Sequence, residues 1–593
     1  MARRTWLAGI VFSSLAMTVS ADSGSLSAGG RPTGASWSRS PVYGANGMAA
    51  TAHPLASQVA LDILKRGGSA VDAAIAANAA LGLMEPTGNG VGGDLFAIVW
   101  DPESGSLQGY NGSGRSPLKR DLAALLRQIE DMKEAGALPA DYIGIPSHGS
   151  LSVTVPGAVD GWHALHQRWG RLPMTDVLAP AIQYAREGFP VSPVIAAGFA
   201  SNLRRFRDVE PMIEEFTNAQ ALYFPQGRAP AEGQLFRNPD LARTLETLAQ
   251  EGLVSFYQGT IAKRLAAYWS SIGADLSLED LMAHRGEWVE PQGVEYHGVT
   301  LWELPPNGQG FAALMMLNIL KQTDIRQYAR GSAELFHIMV EAKRLAFEAM
   351  AQTFADPAWA SVPTEKLLSE AFAAEQFARI RADSLIAPEQ LAAPLEGEGD
   401  TTYLTVADSR GMMVSLIQSN YRGMGSGLVP TGLGFMLQDR GELFSLDPNH
   451  PNVYAPGKRP FHTIIPAFLT RDGKPWISFG LMGGGMQPQG HVQVVLNLVD
   501  FGMNLQEAGD AARFLHDGGA SPSGGDASRY GTLYVEPGVP ATTVTALRAL
   551  GHHVQVDGSG VPFGGYQAIA RDPSSGVYSG ATEMRKDGTV AAW

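Results

Sequence analysis

The chain has 593 residues, among them 69 glycines and no cysteine, with a formal net charge of −14 at pH 7. That length allows a large buried core or several domains. The missing cysteine excludes disulfides, a thiol nucleophile and any thiolate metal site, and no basic stretch is dense enough to suggest nucleic acid or an anionic membrane surface as a partner.

Residues 1–21 have the layout of a secretory signal: Arg3 and Arg4, an apolar run from Trp6 to Val19, then Val19-Ser20-Ala21 for cleavage. The alternative is a membrane anchor, but crossing a bilayer core takes roughly 20 apolar residues and this run is short. The expected location is periplasmic or secreted, with no stable membrane span. Residues 22–45, rich in Ser, Gly and Pro, are expected to be a mobile leader.

Helical periodicity starts at His53-Pro54. Leu55, Val59, Ala60, Leu61 and Leu64 form an apolar stripe that Gly67-Gly68 ends. Ser69 and Asp72 have capping-box spacing for a second helix, Ala70 to Met84, apolar nearly all round and therefore expected to be buried. Gly88-Asn-Gly-Val-Gly-Gly93 matches a dinucleotide fingerprint by letter, but that motif needs a strand before it and a helix after it. Here the helix precedes and the strand Leu95 to Trp100 follows, so the dinucleotide reading is rejected. The glycines instead predict a close backbone approach to another element. Leu95–Trp100 and Leu107–Tyr110 predict a hairpin across Pro102-Glu-Ser-Gly105. Beyond it, Arg115 lies in a Gly/Ser loop. It has the chemistry to clamp a carboxylate, and reads otherwise as a surface arginine.

Residues 118–395 predict mostly helix, with no repeat and no shift in composition. Leu335–Met350 is amphipathic, and its His337 reads as structural. The charged, Ala-rich stretch Ala371–Glu398 predicts a solvated linker. It leads into Glu396-Gly-Glu-Gly-Asp-Thr-Thr-Tyr-Leu-Thr-Val-Ala-Asp408. From Thr401 the residues alternate: Thr401, Tyr403 and Thr405 on one face, Thr402, Leu404 and Val406 on the other. A threonine hydroxyl needs an adjacent base, and a chain-terminal α-amine is one. Cleavage between Asp400 and Thr401 would give Thr401 both roles. The alternative is a linker followed by a Thr-rich strand.

Thr401–Ala407 and Met413–Gln418 predict a second hairpin, followed by Ser419-Asn420-Tyr421 and a glycine-rich stretch to Gly434. The strand Pro475–Gly480 runs into Gly483-Gly484-Gly485, with an apolar helix expected over about Val492 to Phe501. Strand, glycine turn and helix start suit an oxyanion hole, because backbone N–H groups and the helix dipole favour negative charge there. A plain tight turn has the same letters. From Thr532 onward, short strands flank one helix, Ala541–Leu550.

Together these stretches resemble the γ-glutamyltranspeptidase family of N-terminal-nucleophile (Ntn) hydrolases. The resemblance is carried by Gly67-Gly-Ser-Ala-Val-Asp-Ala-Ala-Ile-Ala-Ala77, Glu85-Pro86 with the glycine loop, Val155-Pro-Gly157 and Gly399-Asp-Thr-Thr402. Lys458-Arg-Pro460, Gly483-Gly484, Val499-Asp-Phe-Gly-Met-Asn-Leu-Gln-Glu-Ala508 and Ala512-Arg-Phe514 add to it, in the family's order. It implies an α+β fold, an αββα four-layer sandwich. Two chains from one self-cleaved precursor would build it jointly: a large one, 46–400 behind the leader, and a small catalytic one, 401–593. Thr401 would be the nucleophile, its own amine the base, and the Gly483 and Gly484 N–H groups the oxyanion donors. The acyl group would pass to water or to the amine of an amino acid or peptide, with no metal and no organic cofactor.

Other family positions transfer unevenly. The second threonine, which hydrogen-bonds the nucleophile, falls on Ser419. The substrate-binding asparagine falls on Tyr421, beside Asn420. The acid that grips the substrate α-amine falls on Glu442, and the paired serines that hold the α-carboxylate fall on His462-Thr463. Arg115 is offset by two positions from the carboxylate-clamping arginine. The short link from Glu442 to His462 implies that the lid loop of some members is absent. The resemblance thus implies a self-processing γ-glutamyltransferase/glutathione hydrolase. One alternative is the same machinery acting on a glutaryl, cephalosporin or other amide. Another is an unprocessed periplasmic binding or scaffold protein, against which Asp400-Thr401 and Gly483-Gly484 argue.

Overall fold

The computed structural model describes residues 39–387, 400–524 and 530–593. The expected signal, most of the leader and the acidic run before Asp400 lie outside the described residues. Two seven-stranded sheets form the centre. The first runs, edge to edge, Thr589–Ala592, Gly47–Thr51, Asp400–Asp408, Met413–Tyr421, Asp94–Asp101, Ser106–Asn111 and Glu287–Val289. The second runs Val42–Gly44, Tyr578–Thr582, Tyr566–Arg571, Lys474–Leu481, Ala467–Arg471, Val299–Glu303 and Gln292–Tyr296. Neighbouring strands in both are antiparallel.

The period-2 alternation of Asp400–Asp408 sorts its side chains into two cores. Leu404 and Val406, with Val414 and Leu416 of the next strand, pack against the helices Pro54–Lys65 and Ala70–Met84. Tyr403 and Ala407 face the other way, into a layer between the sheets that includes Phe468, Ile569 and Tyr578. The far face of the second sheet, with Leu301, Phe479 and Ala568, packs on the helices Gly310–Leu320, Ala333–Thr353 and Met486–Val499. Two sheets that are apolar on both faces need a helical cover on each outer side. The result is the αββα sandwich. Ala70–Met84 is buried along its whole length, and Ser69 and Asp72 form the capping box at its start.

Four segments differ from the sequence reading. Val42–Gly44, placed in the leader, is an edge strand paired with Tyr578–Gly580, and Arg39 just before it binds Asp510. Three strands, from Glu287 to Glu303, lie inside the stretch read as helical; two of them complete the second sheet. Glu370–Phe377, read as linker, is a helix capped by Ser369. The helix after the glycine turn begins at Met486 rather than Val492. Its first turns carry Gln487 and Gln489, which are buried and bonded to distant backbone: Gln487 Oε1 accepts from the Ile465 N–H and Gln489 donates to the His516 carbonyl. Internal hydrogen bonding thus hides the helix from an apolar pattern.

Candidate active site

The chain is continuous through Asp400 and Thr401, at the start of a central strand. Thr401 is buried, and its Oγ1 has no hydrogen-bond partner. Its backbone N–H donates to the Asp400 carboxylate at 2.9 Å. The next strand carries a bulge here. Asp400 pairs with Tyr421 but Thr402 pairs with Gln418, so Ser419 and Asn420 include one residue too many. Tyr421 closes the bulge at φ +79°, an uncommon conformation for a bulky side chain. The bulge turns the Ser419 hydroxyl onto the Asp400 carbonyl oxygen, to which it donates at 2.7 Å, while Ser419 Oγ accepts from the Tyr421 N–H at 2.8 Å. Asn420 is buried with Oδ1 unpartnered.

The glycine loop rejected as a dinucleotide site packs against this junction. A β-carbon at Gly88 would lie 3.2 Å from the Thr401 nitrogen, and one at Gly93 only 2.5 Å from the Ser419 carbonyl oxygen. The Asn420 N–H donates to the Gly88 carbonyl. The close backbone approach that the sequence predicted is therefore to the candidate nucleophile itself.

Strand Lys474–Leu481 runs into the second glycine element. Gly483 and Gly484 have φ of +113° and +54°, and Gly485 caps the helix Met486–Val499. Neither the Gly483 nor the Gly484 N–H has a hydrogen-bond partner among the described residues. Gln309 ties this turn to Thr463: its Nε2 donates to the Thr463 carbonyl at 2.5 Å and to the Gly484 carbonyl at 2.9 Å.

The expected substrate-binding residues fall into two groups. Thr463 joins the centre through Gln309, and its hydroxyl accepts from Arg440 Nη1 at 2.6 Å. Tyr421 joins it through Ser419, and the Arg440 guanidinium lies over its ring, 4.7 Å from the centroid. The others are committed elsewhere. Both Glu442 oxygens are held by Arg422, at 2.5 and 2.7 Å. Arg115 bonds Asp356, Glu287 and the Gly457 carbonyl, each at 3.3 Å. His462 is fully buried; Nε2 meets Asp94 at 3.1 Å and Nδ1 accepts from the Ile464 N–H. That pattern assigns the neutral Nε2-protonated tautomer. Burial, aided by the Arg440 charge, lowers its pKa well below the usual imidazole value.

Two buried carboxyls flank the junction. Glu85 accepts from the Thr402 hydroxyl at 2.6 Å, and burial pushes its pKa up to about 7. Asp94 accepts from the Gly114 and Gly157 N–H groups and meets His462; burial raises it to about 7 against those bonds. Sequence reading missed Asp94, Gln309, Arg422 and Arg440 as parts of the site. Arg440 lies in the polar run Gln438-Asp439-Arg440-Gly441-Glu442, where nothing local separates it from a solvated charge. Nothing local marks Arg422 as the partner of Glu442. No group of three or more metal-ligating side chains occurs among the described residues.

Comparison with known proteins places this geometry. The family model for gamma-glutamyltranspeptidase matches residues 56–593. The "Glutathione hydrolase-like YwrD proenzyme" of Bacillus subtilis is 36% identical over 93% of this chain and 99% of its own length. The "Oxamate amidohydrolase proenzyme" of Klebsiella pneumoniae is also 36% identical, over 92% of this chain and 98% of its own. The crystal structure of cephalosporin acylase from Bacillus halodurans superposes with a TM-score of 0.85 at 42% identity, covering 94% of this chain and 98% of that one. From its residues, its fold and these matches, the chain belongs to the gamma-glutamyltranspeptidase family of Ntn hydrolases.

Proposed function

We propose that this protein is a self-processing amide hydrolase of the acylase type, working through a Thr401 acyl-enzyme. In the precursor, Thr401 Oγ1 attacks the Asp400 carbonyl carbon, whose oxygen Ser419 polarises. The acyl group moves from nitrogen to oxygen, and water then cleaves the ester. The freed α-amine, with a reference pKa of roughly 7.7–8.0, is partly neutral near pH 7 and serves as base. In turnover it takes the proton from Oγ1 as the C–O bond to the substrate forms. The carbonyl electrons move to oxygen, where the Gly483 and Gly484 N–H groups receive them. The C–N bond then breaks, and the leaving amine departs with the proton. Water attacks the ester, gives a proton back through the α-amine, and releases the acid and Thr401.

The observation that carries the acylase reading over γ-glutamyl transfer is the Arg422–Glu442 pair. A γ-glutamyl group brings an α-ammonium that needs a free anion, and both Glu442 oxygens are already taken. The similarity to an oxamate amidohydrolase and a cephalosporin acylase supports the same choice. One feature favours the γ-glutamyl reading: Asp439 Oδ2 is buried and unpartnered. Burial raises the Asp439 pKa well above the usual value, however, and a neutral carboxyl is a poor ammonium partner.

Two anilides that differ only in the amine decide between them. Cleaved enzyme should hydrolyse glutaryl-p-nitroanilide with kcat/KM at least about tenfold above γ-glutamyl-p-nitroanilide. The reverse preference would return the protein to γ-glutamyl chemistry. We also place the reaction outside the cytoplasm, on the signal at residues 1–21. Intact mass of the exported protein tests both processing steps, with chains expected to begin at Asp22 and Thr401.

A further inference from the structure

We propose that Arg440 selects the acyl group, by donating from Nε and Nη2 to a carboxylate at its far end. This inference rests on the amide-hydrolase reading and names its substrate class: half-amides of dicarboxylic acids.

Arg440 has no exposed surface in the uncut chain. Nη1 donates to Thr463, but Nε and Nη2 have no partner. An unmet guanidinium edge in a buried site is costly, and such groups are normally paired. That edge presents two parallel N–H bonds, which match the two oxygens of a carboxylate. Three other arginines in this chain use the same edge in this way: Arg39 on Asp510, Arg422 on Glu442 and Arg585 on Glu536.

The neighbouring acids do not fill the vacant edge. The Asp94 oxygens take the Gly114 and Gly157 N–H groups and His462. Both Glu442 oxygens lie on Arg422. Asp439 Oδ1 accepts from the Arg422 N–H, and Oδ2 is itself unpartnered. Burial lowers the Arg440 pKa to about 10, which leaves it cationic at neutral pH.

Its position links the guanidinium to both halves of the reaction centre. On one side it covers Tyr421, whose N–H bonds the same Ser419 Oγ that holds the Asp400 carbonyl. On the other it bonds Thr463, which Gln309 joins to the Gly484 turn. An acyl chain attached at Thr401 that reaches between these two elements would present its far end to the open guanidinium edge. A carboxylate there completes the buried cation's bonding, whereas a neutral group leaves it unmet. Sites built around such a bond reject analogues that lack it.

The test compares glutaryl-p-nitroanilide with its neutral isostere, in which an amide replaces the terminal carboxylate, on cleaved wild-type enzyme. The acid should be preferred by at least about 100-fold in kcat/KM. Arg440→Gln should bring the two substrates to within about threefold, and Arg440→Lys should fall between, because lysine keeps the charge but not the fork. An unchanged preference in Arg440→Gln, or none in wild type, would overturn the inference while leaving the hydrolase reading intact. Wild type that cleaves neither anilide would bring down both. If Arg440→Gln fails to fold or to process, inhibition of wild type decides: glutarate should inhibit at least about tenfold more tightly than glutaramide, and equal inhibition would refute the role.

Discussion

The Ser419 hydroxyl donates at 2.7 Å to the carbonyl oxygen of Asp400, on the bond that must break for Thr401 to become a chain terminus. The contact exists because the strand Met413–Tyr421 bulges opposite Thr401. A regular ladder would use that carbonyl for backbone pairing or point the hydroxyl elsewhere.

Ser419→Ala should therefore slow self-cleavage by about 100-fold or more, the usual cost of one donor on a developing oxyanion. Ser419→Thr should retain most of the rate, and Thr401→Ala should remain one uncut chain. Intact mass followed over time reads all three. Cleavage of Ser419→Ala at the wild-type rate would show that this hydrogen bond does not assist the step.

Gly93→Ala should disturb the same junction through the backbone. The new β-carbon would meet the Ser419 carbonyl oxygen at 2.5 Å and Asn420 Oδ1 at 2.6 Å; the first is backbone and cannot swing aside. The expected cost is about 1–3 kcal/mol of stability, with slower processing. Urea unfolding of the variant in a Thr401→Ala background isolates the stability effect; an unchanged midpoint would mean the loop moves freely.

A second buried network ties together the segments around Arg513, Glu536 and Arg585. Arg585 bonds both oxygens of Glu536 and also Glu583, while Arg513 bonds Glu583 at 2.9 Å. Charges from the two arginines hold the Glu583 pKa down at about 2 despite full burial. Arg585→Met would leave two buried carboxylates short of a partner. It should cost about 3–5 kcal/mol, whereas the double change with Glu536→Leu should recover part of that. A double-mutant cycle on denaturation midpoints measures the coupling.

Glu85 and Asp94 set a pH dependence. Both are raised by burial to about 7 in the folded protein, and both revert to the ordinary carboxylate range on unfolding. Between those values the folded state binds more protons, so stability falls as pH rises through that window and levels off above it. Glu85→Gln keeps an acceptor for Thr402 and removes one titration. It should make the loss of stability between about pH 5 and pH 8 smaller, by on the order of 3 kcal/mol. An identical pH slope in the variant would place the Glu85 ionisation elsewhere.

The two glycine elements show how far local pattern reached. Gly88–Gly93 was legible as a close approach, because a helix before it and a strand after it rule out a phosphate cradle. Its partner, Thr401, lies more than 300 positions on and leaves no local trace. The helix at Met486 was read late because Gln487 and Gln489 bury polar groups through long-range bonds that periodicity does not record. Glu442 was readable as an acid near the site, but its neutralisation by Arg422 was not, for the pair closes only around the bulge at Tyr421.

The sequence by itself carried the resemblance to the family, and through it the sandwich and the expectation of a cut between Asp400 and Thr401. The motifs behind that resemblance are short-range: a capping box, glycines at fixed offsets, and paired threonines at the start of an alternating strand. The tertiary structure decided which charges are free. Glu442 and Arg115 are spent on ion pairs, His462 on Asp94, while Arg440 keeps an open edge beside Tyr421 and Thr463. Charge pairing is set by distance in three dimensions, and a buried group's availability depends on neighbours that chain order does not reveal.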